Sequence, residues 1–283
     1  MPISKKSILI TGCSTGIGLC VAEGLQHRGY RVFATARKQN DVETLQKNGF
    51  EALRLDLDDS LSIDSAVDQI LTKTGGTLDA LFNNGAYGLV GAVEDLSRDA
   101  LRAQFETNVF GWIELTNRII PVMRQQGHGR IIQNSSVLGF AAMPYRGAYN
   151  ASKFAIEGFT DTLRQELTDS NIHISLVEPG PIISQFRANA FKAFQKFINS
   201  EHSFHKPQYD AMIARLNKKG PAAPFTLGPE AVLQKVIHAL ESPRPKIRYY
   251  VTFPTYLFGY LKRFVSYRMM DKILIKAGGG GKR

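Results

Sequence analysis

Residues 7–18 read SILITGCSTGIG, a short apolar run that passes at once into a glycine-rich turn. A run this short and continuously apolar suits a strand buried on both faces. Gly12 can take the backbone geometry of a tight turn, Gly16 lets the chain approach a pyrophosphate, and Gly18 lets a following helix pack close to the strand. Ser14, Thr15 and Ile17 fill the turn and open that helix, whose N-terminus offers N–H donors and partial positive charge to phosphates. Strand, glycine turn and helix in this order predict a dinucleotide-binding unit.

Outward from this stretch the pattern repeats. RVFATA (31–36), EALRLD (51–56), DALFN (79–83), RIIQNS (130–135) and HISLVEP (173–179) read as further strands. Between them, Ile17–Arg28, Ser60–Thr74, Leu101–Met123 and Tyr149–Thr168 carry helical periodicity. Such alternation predicts an α/β fold with a doubly wound, Rossmann-type parallel sheet. No repeat or linker divides the chain, so residues 1–283 are expected to form one domain. Its cofactor-binding and catalytic core would span 5–185. A variable segment, 186–228, with Phe186, Phe191, Phe194 and Phe197 on one helical face, would cover the substrate. Residues 229–276 would add a last helix near Pro229–Glu241, a strand RYYVT (248–252) and a basic amphipathic segment, before a tail AGGGGKR (277–283).

The chain has 283 residues, 43% of them apolar and 21% charged, with a formal charge of +10. That composition excludes disordered and fibrous classes. The excess charge is local: residues 185–283 hold 18 Lys plus Arg against 5 Asp plus Glu, while the first 184 hold 17 against 20. Two cysteines, Cys13 and Cys20, cannot make a disulfide framework. MPISKK lacks a signal-peptide core and no stretch has the length of a membrane span, so a cytoplasmic protein is expected. Cys13, near a helix N-terminus, is a candidate redox thiol, although the turn needs only a small residue there. The six histidines show no metal-ligand spacing, and no metal is expected.

The second strand ends Thr35, Ala36, Arg37, Lys38, where a NAD site usually carries an acid. A guanidinium grips a 2′-phosphate that a carboxylate would repel, so Arg37 favours NADP(H) over NAD. Tyr149 and Lys153, four residues apart in YNASK, project from one helical face. An ammonium beside a phenol lowers its pKa towards a value useful for proton transfer.

With these elements the chain resembles the short-chain dehydrogenase/reductase family over about residues 5–185. The match rests on TGCSTGIG, Asp56 after the third strand, the strand end FNNGA, Asn108 in NVFG, SSVLG around Ser136, YNASK and EPGPIIS, and on the 13-residue step from Ser136 to Tyr149. VFATAR and EPGPI are most similar to the hydroxysteroid and retinol dehydrogenase branch and to bacterial NADP-dependent aldehyde or carbonyl reductases.

The resemblance implies that Tyr149 is the general acid in carbonyl reduction and the base in alcohol oxidation. It implies that Lys153 lowers the Tyr149 pKa and holds the nicotinamide ribose, that Ser136 orients the substrate oxygen, and that Asn108 supports a water relay from Lys153. On the cofactor, Asp56 and Leu57 would meet the adenine, Asn83 and Gly85 the adenosine side, and Pro179, Gly180, Ile182 and Ser184 the nicotinamide. This chain has Asn83-Asn84-Gly85-Ala86 where the family has Asn-Asn-Ala-Gly, and Ser184 where it has Thr.

An NADP(H)-dependent oxidoreductase acting on a hydrophobic aldehyde, ketone or secondary alcohol is therefore expected, as a homo-dimer or homo-tetramer. The alternative is an NADP(H)-binding sensor or scaffold of the same fold. An epimerase or dehydratase would have a longer chain and another glycine spacing. Tyr256, Tyr260, Phe264 and Tyr267 suggest one amphipathic helix in the basic segment, serving a pocket or interface in preference to peripheral membrane contact. No nucleic-acid motif accompanies the charge, and no nucleic-acid partner is expected.

Overall fold

All four side chains of β1 (Ser7–Ile10) are buried, because this strand lies inside a sheet covered on both faces. The computed structural model describes residues 5–218, 220–221 and 223–279. After β1 come α1 (Gly16–His27), β2 (Arg31–Ala36), α2 (Gln39–Lys47), β3 (Glu51–Arg54), α3 (Ser60–Thr74) and β4 (Ala80–Asn83). Then follow α4 (Arg98–Phe105), α5 (Gly111–Gln126), β5 (Gly129–Asn134), α6 (Gly147–Glu166) and β6 (Ile172–Glu178). The last third holds α7 (Phe186–Phe197), α8 (Lys206–Leu216), α9 (Glu230–Glu241), β7 (Arg248–Tyr250), α10 (Phe253–Leu261) and α11 (Tyr267–Gly278).

The sheet has seven strands in the order β3-β2-β1-β4-β5-β6-β7, and every pairing is parallel. β1 pairs with β2 on one side and β4 on the other, Ile10 standing opposite both Ala34 and Phe82. Chain direction across the sheet reverses there, which opens a crevice beyond the carboxyl ends of the strands. Alternate residues of β1 feed two cores. Ile8 and Ile10 pack with Val21 and Leu25 of α1 and Val232 and Val236 of α9. Leu9 packs on the other face with Ile70 of α3, Trp112 of α5 and Ile156 of α6. Each such aliphatic side chain contributes about 1.5–3 kcal/mol on burial, so the doubly wound single domain expected from the sequence rests on both layers.

Four local expectations change. The helix predicted over 101–123 is α4 and α5 joined by a π-helical turn, Glu106–Phe110. The segment 185–225 holds two helices instead of one. It leaves and rejoins the core through a bridge between Ile182 and Leu227, where Ile183 N–H donates to the Leu227 carbonyl at 2.9 Å and Leu227 N–H to the Pro181 carbonyl at 3.1 Å. The helix predicted through Tyr256 and Tyr267 breaks after Leu261. Ser266 starts α11 by accepting a hydrogen bond from Met269 N–H, and Phe264 and Tyr267 stand 83% and 86% exposed at the break. Finally, Ala277 and Gly278 of the expected tail close α11, and Gly280–Arg283 lie outside the described residues. No described helix is long and apolar enough to cross a membrane.

Candidate active site

The glycine turn is held where its sequence placed it. Gly12 and Gly16 have positive φ, +72° and +63°, a conformation that strains any other L residue. A Cβ on Gly12 would meet the Gly85 Cα at 2.6 Å, and one on Gly18 the Gly12 carbonyl oxygen at 2.2 Å. Thr11 Oγ1 accepts from the backbone N–H groups of Asn84 and Gly85, each at 2.8 Å. The Asn84 amide donates to the Thr11 carbonyl at 2.9 Å and accepts from Asn134 Nδ2 at 2.8 Å. Asn134 in turn offers its carbonyl to Lys153 Nζ at 2.8 Å. One hydrogen-bonded chain therefore runs from the β1 turn across the ends of β4 and β5 to α6.

At the other end of that chain Ser136, Tyr149 and Lys153 share the wall of a cleft of about 1300 Å³. Ser136 follows β5, accepts from Leu138 N–H at 3.1 Å and lies within hydrogen-bonding reach of Tyr149. Tyr149 and Lys153 sit one turn apart on α6, and Lys153 Nζ lies 4.1 Å from the Trp112 ring centroid and 5.8 Å from that of Tyr149. Burial pulls the Lys153 ammonium down to about 7, with Glu157 opposing it. Burial pushes the Tyr149 phenol up to about 12, and the hydrogen bond with Ser136 is the opposing influence. Lys153 Nζ, for its part, donates to the Asn134 carbonyl.

The cleft wall also includes Gly12, Ser14, Thr15, Gly16, Ile17, Gly85, Pro179, Gly180, Ile182 and Ser184. Gly18 packs behind this wall. Arg37, Asp56 and Leu57 lie beyond it, past the ends of β2 and β3, with Arg37 exposed and Leu57 buried. Two more of the expected residues are not part of the cleft wall. Asn83 is fully buried and donates from Nδ2 to Thr116 Oγ1 at 2.9 Å, away from the cleft. Asn108 is also fully buried, in the π-helical turn. Its amide donates to the Tyr87 carbonyl and Ser152 Oγ and accepts from Tyr87 N–H, so its side chain is committed to structure. Asn84, Asn134 and Thr11 are the site residues that motif reading passed over. For Asn84 the doubled Asn at 83–84 hid which of the two enters the site, because successive strand residues face opposite ways.

Above Tyr149 lies Phe186 of α7, its ring 5.3 Å away and edge-on. A Cβ at Gly88 would meet the Phe186 ring at 2.6 Å, so this glycine makes room for the contact. Behind Lys153, Glu157 and the fully buried Glu178 share Arg248, at 3.1 Å and 3.3 Å. Burial pushes both carboxyls upward and Arg248 opposes it. Cys13 is fully buried, and burial lifts its thiol to about 12, which removes the redox-thiol reading. Among the described residues no group of three or more His, Cys, Asp or Glu side chains is placed to hold a metal.

The donor set fits a nicotinamide dinucleotide: a glycine turn that admits no side chain, a helix N-terminus beside it, and a long cleft that ends at a tyrosine and a lysine. Residues 6–194 match the model of the short chain dehydrogenase family. An uncharacterized oxidoreductase, YbbO, of Escherichia coli is 44% identical over 272 residues, 96% of this chain and 95% of that protein. Human retinol dehydrogenase 8 is 35% identical, over 88% of this chain and 82% of the relative. A solved variant of actinorhodin polyketide ketoreductase with NADPH superposes with a TM-score of 0.71 at 25% identity, covering 87% of this chain and 95% of that one.

Proposed function

Since the chain belongs to the short-chain dehydrogenase/reductase family, we propose that it is an NADP(H)-dependent oxidoreductase for a hydrophobic aldehyde, ketone or secondary alcohol. The observation that carries this reading is the shared cleft wall of Ser136, Tyr149 and Lys153, joined to the glycine turn through Asn84 and Asn134. The bound nicotinamide supplies or accepts the hydride. Gly12, Gly16 and the α1 N-terminus would hold its pyrophosphate, Asp56 and Leu57 its adenine, and Pro179, Gly180, Ile182 and Ser184 its nicotinamide end. Arg37, exposed past β2, would hold a 2′-phosphate, which favours NADP(H) over NAD.

In the reducing direction Ser136 Oγ and the Tyr149 hydroxyl both hydrogen-bond the substrate carbonyl oxygen. Tyr149 gives up its proton as the oxygen gains charge, and the nearby Lys153 stabilises the phenolate that remains. In alcohol oxidation the same proton returns to Tyr149. Phe186 over Tyr149, and the apolar α7–α8 segment behind it, favour an apolar substrate and exclude water. The retinol dehydrogenase and ketoreductase relatives support carbonyl or alcohol chemistry. Phe110, Phe154 and Phe159, each 41–51% exposed on the π-helical turn and α6, favour pairing with a second copy.

The test is NADPH consumption against a panel of apolar aldehydes, ketones and steroid-like or retinoid-like carbonyls. Turnover of several members is expected. NADPH binding with flat rates across the panel would replace this reading with a nucleotide-sensing one.

A further inference from the structure

α10 and α11 are attached to the protein by their inner faces only. Phe258 of α10 and Met270 and Leu274 of α11 are buried together with Val137 and Ala141, just past Ser136. Lys262 Nζ donates to the Phe140 carbonyl at 3.0 Å and pins the turn between the two helices to the body of the protein. On the outer side of α10, Phe253, Leu257 and Tyr260 follow at four- and three-residue steps, so they share one face, and all three are exposed. Phe264 N–H and Val265 N–H both reach the Leu261 carbonyl at 3.0 Å and carry the helical path into the turn, where Phe264 and Tyr267 stand almost wholly exposed. Phe225 joins this surface from the end of the lid, its ring 4.9 Å from that of Phe253. Phe225, Phe253 and Leu257 are exposed and also line the cleft. The apolar face and the mouth of the cleft are therefore one surface.

Cations accompany it. Residues 262–276 hold Lys262, Arg263, Arg268, Lys272 and Lys276 against a single acid, Asp271. Arg268 and Lys272 are exposed on the side of α11 opposite the buried Met270 and Leu274. An exposed apolar face rimmed by charge marks a contact surface. A second copy of the chain, paired face to face, would bring these cations against their own kind. A surface with anionic headgroups above an apolar interior satisfies both parts, because aromatic rings and the long stems of Lys and Arg sit at the headgroup level. The aromatic spacing alone favours a pocket or interface role for this segment; the exposure of Tyr260, Phe264 and Tyr267 changes that. We propose that α10, α11 and Phe225 dock the protein peripherally on an anionic lipid bilayer, with the mouth of the cleft turned towards it. An apolar substrate dissolved in the bilayer would then enter the cleft without crossing water. This docking goes beyond the oxidoreductase reading and does not depend on it.

The experiment is co-sedimentation of the full chain with vesicles of phosphatidylcholine, and of phosphatidylcholine mixed with phosphatidylglycerol, in the wild type and two double variants. The wild type should bind the mixed vesicles about tenfold or more tightly than the neutral ones, and less tightly as salt rises. Arg268→Gln with Lys272→Gln should weaken that binding about tenfold or more, since each cation near an anionic surface counts for about fivefold. Phe264→Ser with Tyr267→Ser should weaken it by a similar factor, through lost apolar contact with the bilayer. All four side chains are exposed, so both variants should melt with the wild type, which a thermal scan checks. Absence of binding to the mixed vesicles, equal binding to the two kinds of vesicle, or binding unchanged in either variant overturns the proposal. Sedimentation velocity without lipid reads the rival occupant. An association state that neither variant alters is expected, and a self-associating wild type made monomeric by Phe264→Ser with Tyr267→Ser assigns the face to a second copy and overturns the bilayer.

Discussion

Replacing Lys153 with methionine should abolish turnover and yet stabilise the fold near neutral pH. Lys153 is 1% exposed, and burial brings its ammonium from 10.5 to about 7. At about 1.4 kcal/mol for each pH unit, charging that buried amine costs the folded state about 5 kcal/mol below pH 7. Methionine fills similar volume without the charge. It leaves the Asn134 carbonyl without its 2.8 Å donor, which returns about 1–3 kcal/mol. The variant should therefore be about 2–4 kcal/mol more stable at and below pH 7. The folded value lies below the unfolded one, so between about pH 7 and 10.5 the unfolded chain holds more protons and wild-type stability rises with pH. The advantage of the variant should then shrink by about 2 kcal/mol between pH 7 and 9. Urea unfolding of both proteins at several pH values in this range reads the gap directly. A gap that stays constant with pH, or a variant less stable at pH 7, would refute the claim that Lys153 is held as a costly buried cation.

The other expectations follow from equally local geometry. Gly18→Ala places a Cβ 2.2 Å from the Gly12 carbonyl oxygen and 2.7 Å from Asn84 Nδ2; it should cost about 1–3 kcal/mol and weaken NADPH binding in a fluorescence titration. Gly85→Ala meets nothing closer than 3.3 Å and should keep binding near wild type. Arg248→Met strands two buried carboxyls and should cost about 3–5 kcal/mol in thermal or urea unfolding. That loss should be larger at pH 8 than at pH 5, because burial favours the protonated carboxyls and acid removes their need for the guanidinium. Arg37→Glu should weaken NADPH binding about tenfold or more and improve relative use of NADH; an unchanged preference removes Arg37 from the cofactor site.

The strands were legible because each is short, apolar and buried on both faces, and the glycine turn because its conformation excludes other residues. α2 was not: in QNDVETLQK only Val42 and Leu45 are buried, too few to mark a face. The C-terminal break was hidden because the aromatic spacing continues past Leu261 while Ser266 caps a new helix. Tyr149 and Lys153 were visible as an i, i+4 pair. Their protonation was not, since it depends on Trp112, Asn134, Ser136 and Glu157, brought in from other elements or from further along α6. The choice between Asn83 and Asn84 turned on strand parity, which a doubled residue conceals.

The central claim is that Tyr149 delivers the proton while other groups hold the cofactor. The most direct test is Tyr149→Phe, assayed for NADPH-dependent reduction of the best aldehyde and, in the same preparation, for NADPH affinity. The account expects turnover to fall by about 10²- to 10⁴-fold with affinity within about twofold of wild type, because the glycine turn, Asn84 and Lys153 remain in place. A Tyr149→Phe variant that still turns over at near wild-type rate would contradict it.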